Sequence, residues 1–191
     1  MMSSATTSQI TVLPVAYPLD DFYARANRPL PPIRQIAGDE MPEPYRTLLV
    51  HEEDMTPTLE QFHGANIHLR VINRQQRDGA YYREVVLLLD GSNIPVEFGA
   101  IRINVDLFPP AAKAAILKEG LPLGHVLAEH KIKHTSRPKG FFAIEADDFI
   151  SEALGLSGSQ TLYGRRNTLF DSHKRSLAEI VEILPPAQPR S

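Results

Sequence analysis

The chain of 191 residues contains no cysteine. Disulfide bonds, thiolate metal sites and cysteine nucleophiles are therefore excluded. Any stability must come from a packed core, and a chain of this length is long enough to bury one good core. The hydrophobic content of 42% and charged content of 23% are those of an ordinary globular protein, so this requirement is met.

An excess of basic residues is also missing, because 23 acidic side chains outnumber 20 lysines and arginines. The net charge of -3 gives no electrostatic reason to expect nucleic-acid binding, which usually requires a basic face. No apolar run approaches the length of a membrane span, and the first residues lack the basic and apolar segments of a signal peptide. We therefore expect a cytoplasmic enzyme or ligand-binding protein without nucleic-acid or membrane partners.

Sequence motifs for cofactors are absent as well. There is no glycine-rich phosphate loop and no serine nucleophile elbow. His125, His130 and His134 suggest a metal site, but only His130 and His134 have the spacing of one helix face. No acidic residue supplies a clear third ligand. The sequence predicts that neither a metal ion nor another cofactor takes part.

Prolines divide the chain into an arm and a body. Residues 1–40 are predicted to form an extended N-terminal arm, because five prolines interrupt any regular element there: Pro14, Pro18, Pro29, Pro31 and Pro32. Residues 41–186 are predicted to form a single domain. Residues 187–191 are predicted to be a short tail.

The body alternates between strand-like and helical patterns. Turn signals at Asp78-Gly79 and Asp90-Gly91 flank a strong strand over 81–89, and a second hairpin is predicted over 162–184. Short helices are predicted near 44–51, 109–119, 122–130 and 147–154, with another capped by Thr56 and a loop at 136–140. Successive hairpins give antiparallel pairs, so we expect an α+β fold with a mainly antiparallel sheet and helices covering one face.

Two charged residues fall on apolar phases of predicted strands. Arg83 alternates with Val85 and Leu87, so its side chain is either a buried carboxylate anchor or a snorkelling side chain at the sheet margin. Glu179 alternates with Leu177 and Val181 and is either a functional carboxylate in the same cavity or one member of a structural ion pair.

Arg165 and Arg166 stand next to each other on a predicted strand. Because strand side chains alternate between faces, the two cannot point the same way. Arg166 is in phase with Leu162 and Thr168, which favours it as the inward one. The combination of Arg83, Arg166 and Glu179 suggests a pocket for a small, polar, anionic ligand.

Five motifs in order resemble those of the chorismate pyruvate-lyase family, over about Leu48 to Pro185. The motifs are Leu48-Leu49 with Asp54-Met55-Thr56 and Leu59-Glu60; Tyr82-Arg83-Glu84-Val85-Val86-Leu87; Pro95 with Gly99, then Pro122-Leu123-Gly124; Leu162-Tyr163-Gly164-Arg165-Arg166; and Leu177-Ala178-Glu179-Ile180 with Leu184-Pro185. The resemblance implies a six-stranded antiparallel sheet with an enclosed ligand cavity. It also implies an enzyme that removes pyruvate from chorismate to leave 4-hydroxybenzoate, a precursor in ubiquinone biosynthesis, without a cofactor.

The resemblance assigns roles to particular residues. Arg83 and Glu179 would be catalytic, with Arg83 on the ring carboxylate and Glu179 at the hydroxyl end of the ring. Met55, Gly99, Leu123 and Arg166 would complete the substrate-binding site, in a monomer or weak dimer. The competing interpretation is a non-catalytic, effector-sensing domain of the same fold that binds small aromatic acids.

This chain departs from the family pattern at three places. Asp54 replaces the usual serine before the methionine, the segment 131–159 is longer than expected, and the N-terminal arm is long. These departures bear on the shape of the cavity and on the identity of the ligand.

Overall fold

One antiparallel sheet of seven strands organises the protein. The structure is a computed structural model and describes residues 13–187. The spatial order of the strands is β1-β5-β6-β7-β4-β3-β2, so β7 and β4 lie near the centre. Their bounds are Ile33–Ile36 (β1), Ile67–Arg77 (β2), Ala80–Leu89 (β3), Pro95–Ile103 (β4), Thr135–Glu145 (β5), Thr161–Phe170 (β6) and Ser176–Leu184 (β7).

Six short α-helices connect and cover the strands in the described range. They are α1 (Leu19–Arg25), α2 (Tyr45–Leu49), α3 (Met55–His63), α4 (Pro110–Lys118), α5 (Leu123–Glu129) and α6 (Asp148–Leu154). Their ends follow the sequence: Asp147 accepts a hydrogen bond from the Ile150 amide at the start of α6, and Gly155 takes the left-handed conformation at its end. No helix in residues 13–187 is long and apolar enough to cross a membrane.

The sheet is buried on both faces. Helices α2 to α5 pack against one face, through residues such as Leu49, Leu59 and Val126. Helices α1 and α6 pack against the other, where Phe22 and Ile150 meet Phe98. We call these the cavity face and the second face. Side chains alternate along each strand, so neighbouring residues serve different cores.

The predicted α+β fold with an antiparallel sheet is confirmed, with two corrections of detail. The sheet has seven strands rather than six, because β1 adds to the edge beside β5. Helices cover both faces rather than one. Strands such as β7 are almost continuously apolar, which is typical of strands that are buried on both sides.

The region predicted as an extended arm contains regular structure where it is described. Residues 19–25 form α1, and residues 33–36 form the strand that pairs with β5. Residues 1–12 and most of the predicted tail, 188–191, lie outside the described residues. The division into arm, domain and tail stays a prediction.

Two local predictions were wrong. Asp54, not Thr56, occupies the position before the first residue of α3, because the helix begins at Met55. The predicted loop at 136–140 is part of the continuous strand β5, in which an irregularity between Pro138 and Gly140 absorbs the proline.

Candidate ligand cavity

A cavity lies between the cavity face of the sheet and the N-terminal ends of α3 and α5. It offers about 60 Å³ to the centres of water-sized molecules, several times what one water requires. Its walls are mainly apolar, with Val85, Leu87 and Ile101 from the sheet and Met55 and Leu123 from the helices. The polar side chains that line it are Asp54, Thr56, Arg83, Glu97, Asn167 and Glu182.

Arg83 is the cation of this cavity. Its side chain is 2% exposed, and its Nε and Nη1 atoms have no hydrogen-bond partner among the described residues. Burial lowers the pKa of the guanidinium, and Tyr81 and Glu119 oppose this shift only in part. An arginine nevertheless stays charged in a protein. A buried cation with unused donors is costly unless an anion reaches it.

A cluster of charged groups lies farther along the same face. Arg165 donates through Nε to Glu182, and its other nitrogens donate to the backbone oxygens of Leu49 (3.3 Å), His51 (3.0 Å) and Glu53 (3.0 Å). Arg165 therefore fixes the loop between α2 and α3 to the sheet. Glu97 lies beside this pair, and its Oε2 atom has no partner in the part of the chain that the structure describes.

The starts of α3 and α5 form the cover of the cavity, and this cover depends on a close approach of the two helices. A Cβ atom on Gly124 would lie 2.8 Å from Thr56 Oγ1 and 2.9 Å from Thr56 Cβ. Any larger residue at position 124 would therefore push the start of α5 away from α3. The glycine in the Pro-Leu-Gly motif is explained by this contact.

Two histidine–carboxylate pairs hold the cover together. His134 Nε2 lies 2.8 Å from Asp54 Oδ2, and His125 Nε2 lies 2.9 Å from Glu60 Oε1. The hydrogen bond to Asp54 raises the pKa of His134. Asp54 and the segment from 131 onward, two of the places where the sequence departs from the resemblance, meet in the contact between Asp54 and His134.

The predicted site residues divide into two groups. Met55, Arg83, Gly99 and Leu123 line the cavity, as the resemblance implied. Arg166 and Glu179 do not line it. The binding roles of the four residues that line the cavity stay predictions. The roles predicted for Arg166 and Glu179 in this cavity have no support from its geometry.

Glu179 and Arg166 lie on the second face, where they form a paired network. Glu179 Oε2 accepts from Arg166 Nη2 at 2.9 Å and from Thr168 Oγ1 at 2.7 Å, and Oε1 accepts from Ser176 Oγ at 3.0 Å. Arg166 also donates to the backbone oxygen of Leu13 at 3.0 Å. Glu179 therefore forms the structural ion pair that was one of its two predicted roles, with Arg166 as its partner. It shares its face of the sheet with Val181, on the side opposite Arg83.

Sequence reasoning missed Glu97, Asn167 and Glu182, which all line the cavity. A signal existed, since Glu97 alternates with Gly99 and Ile101, and Glu182 alternates with Ile180. The signal was ambiguous because β7 is apolar on both faces, so its pattern does not identify the face that borders the cavity. The three histidines form no metal site: the described residues contain no cluster of three or more potential ligands.

No protein-family model and no curated protein matches the sequence. Solved structures do match the fold. PhnF from Mycobacterium smegmatis superposes with a TM-score of 0.56 and 11% identity, over 90% of this chain and 94% of that one. The effector domain of PhnF gives 0.53 and 10%, over 70% and 88%. The possible transcriptional regulator YydK from Bacillus subtilis gives 0.51 and 11%, over 66% and 65%.

At this identity the comparisons show the fold alone, which this chain shares with PhnF and its effector domain. The prediction of a lyase is contradicted, because these neighbours are named as an effector domain and a regulator rather than as enzymes. The structure removes its geometric basis too, since Glu179 is paired on the second face. Arg83 and Glu179 do not share a cavity.

Proposed function

We propose that this chain binds a small organic acid in the cavity and acts as a ligand-sensing domain without chemistry of its own. The observation that carries the proposal is Arg83, a buried guanidinium that lines a cavity with mainly apolar walls and has two nitrogens without a partner among the described residues. A ligand carboxylate would accept a charge-assisted hydrogen bond from it.

The apolar walls favour an aromatic or similarly planar ligand. Val85 and Leu87 come from the same strand as Arg83, and Leu123 closes the opposite side. Burying a ring between such side chains contributes about 25 cal/mol for each Å² removed from water. The effector domain of PhnF has the same fold, which supports a sensing role for this chain as part of the proposal.

Isothermal titration of the purified chain with benzoate tests the proposal. Benzamide is the matched control, since it has the same ring and shape without the charge. We expect benzoate to bind at least about tenfold more tightly, because a charge-assisted pair is worth about 1.5–3 kcal/mol. Equal binding of the two compounds would overturn the proposal.

The absence of chemistry is tested separately. Chorismate incubated with the protein should be recovered unchanged, and no pyruvate should form above the rate of a protein-free sample. Release of pyruvate by the protein, abolished in Arg83→Ala, would overturn the sensing proposal and leave carboxylate binding intact.

A further inference from the structure

Glu97 is another buried polar group of the cavity with an atom that the described residues leave without a partner. It lies on β4, its residue is 5% exposed, and it lines the cavity. Its Oε2 atom has no partner in the described part of the chain. Position 99 is close to it, because a Cβ atom on Gly99 would lie 3.2 Å from Glu97 Oε1. The glycine leaves the carboxyl group uncovered toward the cavity.

No salt bridge to Glu97 is formed within the described residues. Arg165, whose charge acts on Glu97, already donates to Glu182 and to three backbone oxygens. Burial raises the pKa of Glu97 well above its ordinary value, and the negative charge of Glu182 raises it further while Arg165 opposes the shift. Burial and a neighbouring negative charge both favour the protonated form of a carboxyl group, and that form is a hydrogen-bond donor.

Glu97 and Arg83 lie at opposite ends of the cavity wall. In the register of β3 and β4, Glu97 faces Leu87, whereas Arg83 faces Ile101. The two positions are thus four residues apart along the sheet, or about 13 Å between backbone positions at about 3.3 Å per residue. Val85 and Gly99 lie between them.

We propose that Glu97 enters the cavity as a neutral carboxylic acid and donates its O–H to a ligand oxygen at the end remote from Arg83. The inference rests on the proposed function and narrows its ligand class. The ligand would be an acid whose carboxylate lies on Arg83 and whose opposite end carries a hydroxyl, ether or carbonyl oxygen. Glu97 is then a specificity-determining residue, and it selects such acids over those that end in hydrocarbon.

Two ligands and two variants test this inference. Benzoate and 4-hydroxybenzoate differ only by the oxygen at the far end. Glu97→Gln keeps a neutral donor of similar shape, whereas Glu97→Leu removes it. Titration of both ligands into each protein gives the contribution of the hydroxyl in each background, and melting temperatures confirm that each variant is folded.

We expect wild type to prefer 4-hydroxybenzoate by at least about tenfold, since a site with an unpaired buried donor rejects a ligand that leaves it unpaired. Glu97→Gln should keep that preference within about threefold, because its amide still donates. Glu97→Leu should lose the preference, because it removes the donor.

Three results would overturn the inference in distinguishable ways. An unchanged preference in Glu97→Leu would show that Glu97 does not contact the ligand. A preference lost in Glu97→Gln would show that Glu97 acts as a charged acceptor rather than a neutral donor. Failure of wild type to bind either acid would remove the proposed function itself, and this inference with it.

Discussion

Arg83 and Glu179 lie on opposite faces of one sheet, and their surroundings differ in a way that separates binding from structure. On the second face, Glu179 accepts from three hydrogen-bond donors, one of which is the cation Arg166. On the cavity face, Arg83 has two nitrogens and Glu97 one oxygen without a partner in the described residues. The second face also has unpartnered atoms among the described residues, at Arg28 Nε, Glu84 Oε1 and Arg166 Nε, but none of these three residues lines the cavity.

Burial of a charged side chain does not by itself indicate a ligand-binding site. A buried pair satisfies itself, and removing one member leaves the other uncompensated. A buried group that lines a cavity and lacks a partner requires something from outside the chain. Substitutions at the two kinds of group should therefore differ in their effect on the free energy of unfolding, which we expect to decrease from Glu179 to Glu97 to His134.

The largest effect is expected from Glu179→Ala. It would leave Arg166 buried without its carboxylate, and we expect the free energy of unfolding to fall by about 3–5 kcal/mol. Urea denaturation at pH 7 measures this change. The double variant Arg166→Met with Glu179→Leu should recover much of the loss, since it removes both charges.

A structural role also requires that benzoate affinity per folded molecule stay unchanged in the double variant. If Glu179→Ala cost under about 1 kcal/mol and abolished binding instead, the roles of the two faces would have to be exchanged.

A smaller, pH-dependent effect is expected at Glu97. The pKa of Glu97 is raised in the folded state, whereas the carboxyl group of the unfolded chain has a pKa of 4.5. Above pH 4.5 folding therefore takes up a proton at this group. Stability linked to this group is present below pH 4.5 and is lost as pH rises toward the folded pKa. Relative to Glu97→Gln, wild type should lose about 1.4 kcal/mol for each pH unit in that window.

Urea unfolding of both proteins between pH 4 and pH 8 measures the slope. Parallel curves for wild type and Glu97→Gln would mean that Glu97 is ionised in the folded protein, contrary to its assignment as a neutral donor.

The smallest effect is expected at the cover. The pKa of His134 is raised above 6.5 by its hydrogen bond to Asp54. Its stabilising contribution is thus full below pH 6.5 and is lost as pH rises through the folded pKa. His134→Gln should cost about 1 kcal/mol or less at pH 5.5 and still less at pH 8.5.

Melting temperatures at the two pH values measure this difference. Asp54→Asn is the matched control: combined with His134→Gln it should add nothing further at pH 5.5. Equal costs at both pH values would show that the contact does not depend on the charge of His134.

Much of this fold could be predicted from the sequence. The hairpins, the short helices and the apolar phase of Arg83 follow from period-two alternation, turn residues and proline positions. These signals are local. The pairing of β1 with β5 is not local, because more than 100 residues separate Ile33 from Ile144. The sequence pattern of neither segment indicates the other as its pairing partner.

The site was harder to predict because β7 carries a carboxylate on each face. Glu179 and Glu182 lie three residues apart in an apolar strand, and alternation puts them on opposite faces without showing which face borders the cavity. That choice is made by the helices packed on each side. For the same reason Arg166 was preferred over Arg165, although Arg165 is the one on the cavity face.

In our proposal, Nε and Nη1 of Arg83 lack partners in the described residues because their partner is the ligand, and titration of benzoate into Arg83→Met tests this most directly. Arg102→Met is the matched control, since Arg102 lies on neighbouring β4 and contacts Tyr82 on the second face. We predict that Arg83→Met loses at least about thirtyfold in affinity, or about 2 kcal/mol, while melting no lower than wild type because an unpaired buried charge has been removed. Arg102→Met should bind as wild type does. Binding by Arg83→Met within about threefold of wild type would contradict the account.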